Sequence, residues 1–228
     1  MRVSARTPAF SQVRLVASLG IGPARIGVVP NGGDHLTAVV PDPSILDRHG
    51  LRGRRFLLAV GSANPTKNLE RLRAAFARLA DDELQLVIVG GVNARVFADA
   101  GEGRAAVAPS RVLNTGALGD PTLKALYQHA LALVFPSMYE GFGLPPLEAM
   151  ACGCPVAAAH AASLPEVCGD AALMFDPLSV DDIAMALRRL VDDAALRARL
   201  VQAGSAQAVR FTWDRSAAAL LSELEALA

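Results

Sequence analysis

The clearest structural signal in the chain is the segment Leu131-Ala-Leu-Val-Phe-Pro-Ser-Met-Tyr-Glu-Gly-Phe-Gly-Leu-Pro-Pro-Leu-Glu-Ala-Met150. Its first five residues are all apolar, its middle is rich in glycine, and its last residues favour a helix. This order predicts a buried strand, a turn and then a helix. A helix that begins directly after such a turn directs free backbone N–H groups and the positive end of its dipole toward one point. The stretch therefore predicts an anion site.

Two carboxylates flank this predicted anion site. Glu140 lies in the turn, and the pattern places Glu148 in the first turn of the following helix. Carboxylates accept hydrogen bonds from hydroxyl groups, whereas backbone N–H groups bind phosphate. The arrangement therefore suits a ligand with phosphate at one end and several hydroxyls at the other, such as a nucleotide sugar.

Strand and helix signals alternate outward from this stretch in both directions, as in a parallel sheet with crossover helices. Several of the strand candidates are apolar throughout, which indicates that both faces of the sheet are covered. The sequence therefore predicts one doubly wound α/β domain. Its strands are expected at Arg25–Val29, Phe56–Val60, Leu84–Val89, Val112–Asn114, Leu131–Phe135, Pro155–Ala158 and Ala172–Phe175.

Capping residues predict where several helices begin. Asn64 followed by Pro65 indicates a helix start, with Lys67 near the third helical residue. Ser179 and Asp182 have the spacing of a capping box. Glu166 follows a proline, and we expect it to fix a loop or to cap a helix.

Composition limits the classes of protein to which the chain can belong. Its 228 residues are 52% hydrophobic and 19% charged, with a net charge of zero. These values indicate a soluble globular protein and argue against a general nucleic-acid binder. No apolar run approaches the roughly 20 residues of a membrane helix. The first residues also lack the apolar core of a signal peptide, so a cytoplasmic protein is expected.

The cysteines permit a second interpretation. Cys152, Cys154 and Cys168, together with His160, could be read as zinc ligands. Structural zinc sites usually space paired cysteines by two to four residues, and the first two here are separated by one. We therefore favour buried, reduced thiols and expect no metal.

The residues from Phe135 to Val156 resemble the E-x7-E region of retaining glycosyltransferases of the GT-B fold. The resemblance is to their C-terminal, donor-binding domain, and it implies a Rossmann-like doubly wound sheet. Further matches occur in the same order and spacing at Val60–Asn68, Val87–Gly91 and Leu164–Ala172. A single GT-B C-terminal domain is therefore expected.

The resemblance implies a role for the loop that carries Lys67. In the family, a lysine at this motif position holds the donor's diphosphate, and the glycine matched by Gly61 borders the same site. Many members place an arginine just after that glycine, where this chain has Ser62. The alternative for Lys67 is an ordinary solvated lysine.

The E-x7-E region carries the remaining site residues. The resemblance implies that Glu140 is catalytic and stabilises the transferred sugar, and that Glu148 binds the ribose. The alternatives are an exposed loop acid for Glu140 and a helix-capping acid for Glu148. Donor binding is also expected from the backbone of the turn, at Gly141, Phe142, Gly143 and Leu144. Here glycine permits a close approach of the ligand.

The resemblance divides the chain into three parts. Residues 1–24 correspond to the end of an N-terminal domain and a linker helix, residues 25–212 to the donor-binding domain, and residues 213–228 to a C-terminal crossover helix. Because the acceptor-binding domain is not represented, an acceptor-domain chain or a homo-oligomer is the expected partner. A peripheral position at the membrane, reached through such a partner, is compatible with this interpretation.

The expected function is transfer of a hexose from a nucleotide diphosphate sugar with retention at the anomeric carbon. Mannose from a GDP donor is the favoured sugar. No cofactor is expected, since the nucleotide sugar is itself the substrate and the sequence contains no Asp-x-Asp metal motif. Two alternatives remain: a truncated domain that binds donor without transfer, and an inert scaffold whose motif residues only pack.

Overall fold

The computed structural model describes residues 3–5, 9–90 and 111–226. The strands are β1 (Val3–Ala5), β2 (Ile26–Val28), β3 (Phe56–Val60), β4 (Gln85–Val89), β5 (Val112–Gly116), β6 (Ala132–Phe135), β7 (Val156–Ala159) and β8 (Ala172–Phe175). The α-helices are α1 (Ala9–Leu19), α2 (Ser44–Arg48), α3 (Leu69–Phe76), α4 (Asp120–His129), α5 (Leu144–Ala151), α6 (Leu164–Cys168), α7 (Val180–Asp192), α8 (Ala194–Ala208) and α9 (Trp213–Glu225). Short 3₁₀ turns lie at Pro23–Arg25, Pro65–Lys67 and Gly169–Ala171.

Six strands form one parallel sheet in the order β5-β4-β3-β6-β7-β8. The central strands are apolar and buried along their length: β6 and β7 expose at most 1% of any residue. Helix α3 packs against α7, whereas α5 packs against α4 and α8. Apolar strands require this cover on both faces, because neither face could remain in water without cost. The prediction of a doubly wound α/β fold is confirmed.

Most of the predicted strands have nearly the observed bounds. The first predicted strand, however, does not belong to the main sheet. β3 and β8 begin and end where the pattern placed them. The segment predicted as Arg25–Val29 forms the three-residue β2, which does not join the main sheet. It pairs in parallel with β1 in a separate two-stranded sheet. Only Ile26 of β2 is buried, so this strand lacks the continuous apolar surface that a central position would require.

Side-chain capping is confirmed at two positions, and the type of helix that follows one of them is corrected. The Ser179 hydroxyl accepts from the Asp182 amide at the start of α7, and the Asn64 side chain accepts from the Thr66 amide. The turn that Asn64 caps, however, is a 3₁₀ turn that ends at Lys67. Asn68 then adopts a left-handed conformation with φ of 56°, and α3 begins after it. The expectation that Lys67 is the third residue of that α-helix is therefore wrong.

Strand order reverses between β3 and β6, which are neighbours in the sheet although α3, β4, β5 and α4 separate them in sequence. In doubly wound sheets, the loops that leave the two strands at such a point diverge and open a crevice at their carboxyl ends. Gly61 follows β3, and Pro136 follows β6. The crevice is therefore bordered by the two segments that the sequence singled out.

Helix α1 packs at this same edge of the sheet. The Glu166 carboxylate accepts from the amides of Ala9 and Phe10 at 2.9 and 3.3 Å, so it caps the start of α1. The expectation that Glu166 caps a helix is confirmed. The Ser11 hydroxyl donates to the Gly141 carbonyl at 3.3 Å, which links α1 to the glycine-rich turn. Within the described ranges, no helix has the length and apolar character needed to cross a bilayer.

Gly90, at the end of β4, supports the loop that carries Gly61. Its φ is +144°, and a Cβ atom built on it would lie 1.9 Å from the Gly61 carbonyl oxygen. We expect Gly90→Ala to lower the free energy of unfolding by about 2–4 kcal/mol, because strain and a backbone clash add. Urea unfolding followed by circular dichroism measures this change.

Gly50→Ala is the matched control for that variant. Gly50 also has positive φ, +62°, but a Cβ atom there would meet nothing within 4 Å. We expect it to cost only about 1 kcal/mol, from backbone strain alone. Equal losses in the two variants would show that the close approach of Gly90 to Gly61 has no energetic weight.

Candidate active site

An ion pair joins the two loops at the reversal of strand order. The Lys67 ammonium, from the 3₁₀ turn after β3, pairs with the Glu140 carboxylate, from the turn after β6. The two side chains are 24% and 15% exposed, so the pair lies in the crevice yet remains open to solvent. The Lys67 nitrogen also lies 5.5 Å from the centre of the Phe135 ring. A ligand that enters here meets the Lys67 ammonium and the Glu140 carboxylate.

Both loops are held by buried hydrogen bonds. The Asn68 side-chain amide is buried and donates to the carbonyls of Pro136 and Pro177, at 3.2 and 2.7 Å. The Met138 amide donates to the Thr66 carbonyl at 2.8 Å. These bonds tie the β3 loop to the β6 loop. Because satisfied buried hydrogen bonds favour one arrangement, Lys67 and Glu140 are preorganised beside each other.

The hydroxyl of Ser163 holds the glycine-rich turn in place. Ser163 donates to the carbonyls of Glu140 and Phe142, at 3.1 and 3.0 Å. The Phe142 ring is buried and packs edge-on against Phe211, with ring centres 5.7 Å apart. Its side chain therefore belongs to the core, and only its backbone can meet a ligand.

Gly143 sets the direction in which α5 begins. Its φ is +99°, and a Cβ atom there would lie 2.6 Å from Leu164 Cδ2, so only glycine fits without displacement. Leu144 is the first helical residue, and Pro145 and Pro146 follow it without N–H groups. In the described part of the chain, the amides of Phe142, Gly143 and Leu144 donate to no protein acceptor. Among the described residues, the protein thus leaves these three donors without acceptors of its own.

Glu148 lies deeper than the pattern indicated. It is the fifth residue of α5 rather than a member of its first turn, so the placement in the first turn is wrong and a capping role is excluded. The carboxylate is 8% exposed and accepts from the buried Tyr127 hydroxyl at 3.0 Å. The second oxygen lies 3.6 Å from His35 Nε2. Burial raises the pKa of Glu148, while the Tyr127 hydrogen bond and the nearby His35 lower it.

The predicted site residues fall into two groups. In the first group, Lys67 pairs with Glu140 and lies beside Gly61, where a Cβ atom would be 3.3 Å from Lys67 Cγ. In the second group, Glu148 contacts Tyr127 and His35. The turn residues 141–144 connect the two groups along the chain.

Sequence reasoning missed four supporting residues, namely His35, Asn68, Tyr127 and Ser163. Tyr127 stands in the apolar stripe of α4, which predicts burial but gives no signal for its hydroxyl. Asn68 could have been found, because asparagine tolerates the left-handed conformation between a turn and a helix. The contacts of His35 and Ser163 depend on segments remote in sequence, and no local pattern indicates them.

The three cysteines are free thiols. Burial raises the pKa of Cys152 to about 11 and the pKa values of Cys154 and Cys168 to about 12. At neutral pH they therefore stay protonated. Among the described residues, no three His, Cys, Asp or Glu side chains form a group that could hold a metal ion.

A family model described as "Glycosyl transferases group 1" matches residues 43–207. The chain belongs to this family, and the resemblance drawn from its motifs is confirmed. It is 36% identical over 175 residues to O-antigen chain mannosyltransferase B of Escherichia coli, covering 75% of this chain and 45% of that protein. It is 33% identical over 223 residues to MMP alpha-(1->4)-mannosyltransferase of Mycolicibacterium hassiacum, covering 92% of this chain and 51% of that protein. The chain thus spans about half the length of these two relatives.

Solved structures agree with this assignment. Sucrose-phosphate synthase from Thermosynechococcus elongatus superposes with a TM-score of 0.81 at 26% identity, over 99% of this chain and 59% of that chain. Anabaena HepE, solved in complex with UDP and glucose, gives 0.81 at 20% identity over 99% and 62%. The Rossmann-like GT-B glycosyltransferase fold is therefore confirmed.

Proposed function

We propose that this chain is the donor-binding half of a retaining hexosyltransferase that uses a nucleoside diphosphate sugar, with GDP-mannose as the favoured donor. The observation that carries the proposal is the Lys67–Glu140 pair at the reversal of strand order. One cation for a diphosphate and one anion for a sugar cation lie side by side in the crevice where doubly wound folds bind nucleotides. The mannosyltransferase relatives support mannose as the sugar.

In this proposal the protein stabilises the charge that develops on the leaving diphosphate. Lys67 and the amides of Phe142, Gly143 and Leu144 supply positive charge and hydrogen-bond donors at fixed positions. They meet the diphosphate charge without a divalent ion. Donor binding draws Lys67 toward the phosphates, and Glu140 is then left to face the sugar.

Glu140 and Glu148 have different tasks in the proposed reaction. Glu140 stabilises the positive charge of an oxocarbenium-like sugar, while the leaving phosphate assists the attack of the acceptor hydroxyl on the same face. Glu148 accepts hydrogen bonds from the ribose hydroxyls, because a carboxylate offers several acceptor sites. Retention at the anomeric carbon follows from attack on the face that the phosphate leaves.

We propose that an acceptor-binding domain completes the enzyme, on a separate chain or through self-association in the cytoplasm. Exposed apolar side chains on α1 and α9 support a partner that packs against these two helices. Val13 and Leu19 of α1 are 63% and 61% exposed, and Leu221 and Leu224 of α9 are 57% and 55% exposed. A partner that is itself membrane-bound would hold the chain at the membrane surface.

The test is calorimetric titration of the purified chain with GDP, UDP and ADP. We expect GDP to bind in the micromolar range and Glu148→Gln to weaken it about tenfold, since an amide accepts less strongly than a carboxylate. Binding without sugar transfer, even with the acceptor domain added, would favour a truncated domain that only holds donor. No binding of any nucleotide would support the inert scaffold.

A further inference from the structure

The surroundings of Glu148 contain a feature that the proposed function does not use. Its Oε2 atom accepts from the Tyr127 hydroxyl at 3.0 Å, and its Oε1 atom lies 3.6 Å from His35 Nε2. Tyr127 is fully buried, whereas the His35 side chain is 35% exposed. One oxygen of the carboxylate is thus held by a buried group that no ligand can reach, whereas the other oxygen lies beside a partly exposed side chain.

The need of the Tyr127 hydroxyl for a hydrogen-bond acceptor does not explain why that acceptor is a carboxylate. A buried tyrosine needs an acceptor for its hydroxyl, but a neutral acceptor would satisfy it. A carboxylate at 8% exposure costs much more to bury than a neutral group. In addition, burial raises the pKa of Tyr127 well above its usual value, so this hydroxyl stays protonated and acts as the donor. The hydrogen bond from Tyr127 therefore stabilises the ionised carboxylate of Glu148.

We propose that Tyr127 is the positioning residue for ribose recognition, orienting Glu148 from below and keeping it ionised, with His35 as a second support beside the other oxygen. The inference rests on the proposed function, because it assumes that Glu148 binds ribose. Tyr127 itself does not touch the ligand. It fixes Oε2, so that Oε1 and the remaining lone pairs point to the nucleoside.

The charges around Glu148 determine how the affinity depends on pH. Burial raises the pKa of Glu148 most, the Tyr127 hydrogen bond and then His35 lower it, and Asp120 raises it slightly. Cys152, which directly follows α5, stays neutral because burial raises its pKa to about 11, although the charge of Lys124 acts to lower it. Nucleotide affinity is present above the pKa of Glu148 and is lost as pH falls through it. Removing the Tyr127 hydroxyl raises that pKa, so the loss moves to higher pH.

The experiment is titration with GDP between about pH 5 and pH 8, a range in which a raised carboxyl pKa becomes visible. We expect Tyr127→Phe to move the fall in affinity to higher pH. At the acidic end, binding weakens roughly tenfold if the pKa of Glu148 rises by about one. Near pH 8, where Glu148 is ionised in both proteins, the difference in affinity shrinks to a few-fold, and this remainder measures the loss of orientation alone. Tyr139→Phe is the matched control, since Tyr139 is 53% exposed, and its profile should not move.

The role of Tyr127 can also be tested without a binding measurement on Tyr127→Phe. The carboxyl carbon of Glu148, followed by NMR without ligand, should titrate at higher pH in Tyr127→Phe. His35→Asn alters a partly exposed side chain, so it should fold normally and shift both profiles in the same direction. The positioning role is distinguished from the proposed function when the wild type binds GDP and Glu148→Gln weakens that binding. In that case, unshifted pH profiles in both Tyr127→Phe and His35→Asn would overturn the positioning role and leave the proposed function intact. If the wild type binds no nucleotide, the proposed function fails first.

Discussion

Replacing Lys67 by alanine is expected to weaken GDP binding about tenfold to one hundredfold, which corresponds to about 1.5–3 kcal/mol for a charged hydrogen bond. Lys67 joins the loops after β3 and β6 through its ion pair with Glu140. Its loss removes the group that would meet the diphosphate and leaves Glu140 without its partner, so an anion meets added repulsion. Calorimetric titration of the variant with GDP measures the effect.

Lys124→Ala is the matched control, because Lys67 and Lys124 are the two lysines of the chain. The Lys124 ammonium donates to the carbonyls of Thr37 and Val39, at 3.0 and 2.8 Å, and is therefore committed to another loop. We expect its affinity for GDP to change by less than about twofold, since it forms none of the proposed ligand contacts. Equal weakening in both lysine variants would indicate that only net charge matters and would reject a specific diphosphate site.

Replacing Glu140 by glutamine is expected to separate binding from transfer. Transfer should fall at least about a hundredfold, the usual cost of losing one electrostatic contact to a transition state. The affinity for GDP should stay equal or rise a few-fold, because Lys67 is freed from its carboxylate partner. Radiolabelled sugar transfer or donor hydrolysis measures the first effect, and calorimetry measures the second.

Glu83→Gln provides the comparison for this variant, since Glu83 is an exposed acid that precedes β4 at the opposite end of the strand from Gly90. It should leave both quantities unchanged. If Glu140→Gln weakens GDP binding as much as Lys67→Ala does, Glu140 acts in nucleotide binding. That outcome would contradict the role facing the sugar.

Local signals explain why much of the fold could be predicted from the sequence. The apolar runs of β3 and β6 fill the centre of the sheet, where burial on both faces favours this composition. Ser179 caps α7 because a side-chain oxygen at the residue before a helix can reach the amide three residues later. For the candidate site, the spacing of Glu140 and Glu148 follows from one turn and one helix. Such features depend on neighbours in sequence, so no knowledge of distant segments is needed.

Local patterns in the sequence were thus sufficient to predict a doubly wound α/β domain and a glycine-rich turn after a buried strand. The packing of the folded chain was needed to show that β2 pairs with β1 outside the main sheet, because strand partners are selected by burial across the whole molecule. Tertiary structure also paired Lys67 with Glu140, and Glu148 with Tyr127, across 73 and 21 positions of sequence. Periodicity specifies which face of an element is buried. It does not specify which polar group of a remote element will meet that face, since sheet order and loop packing fix this contact.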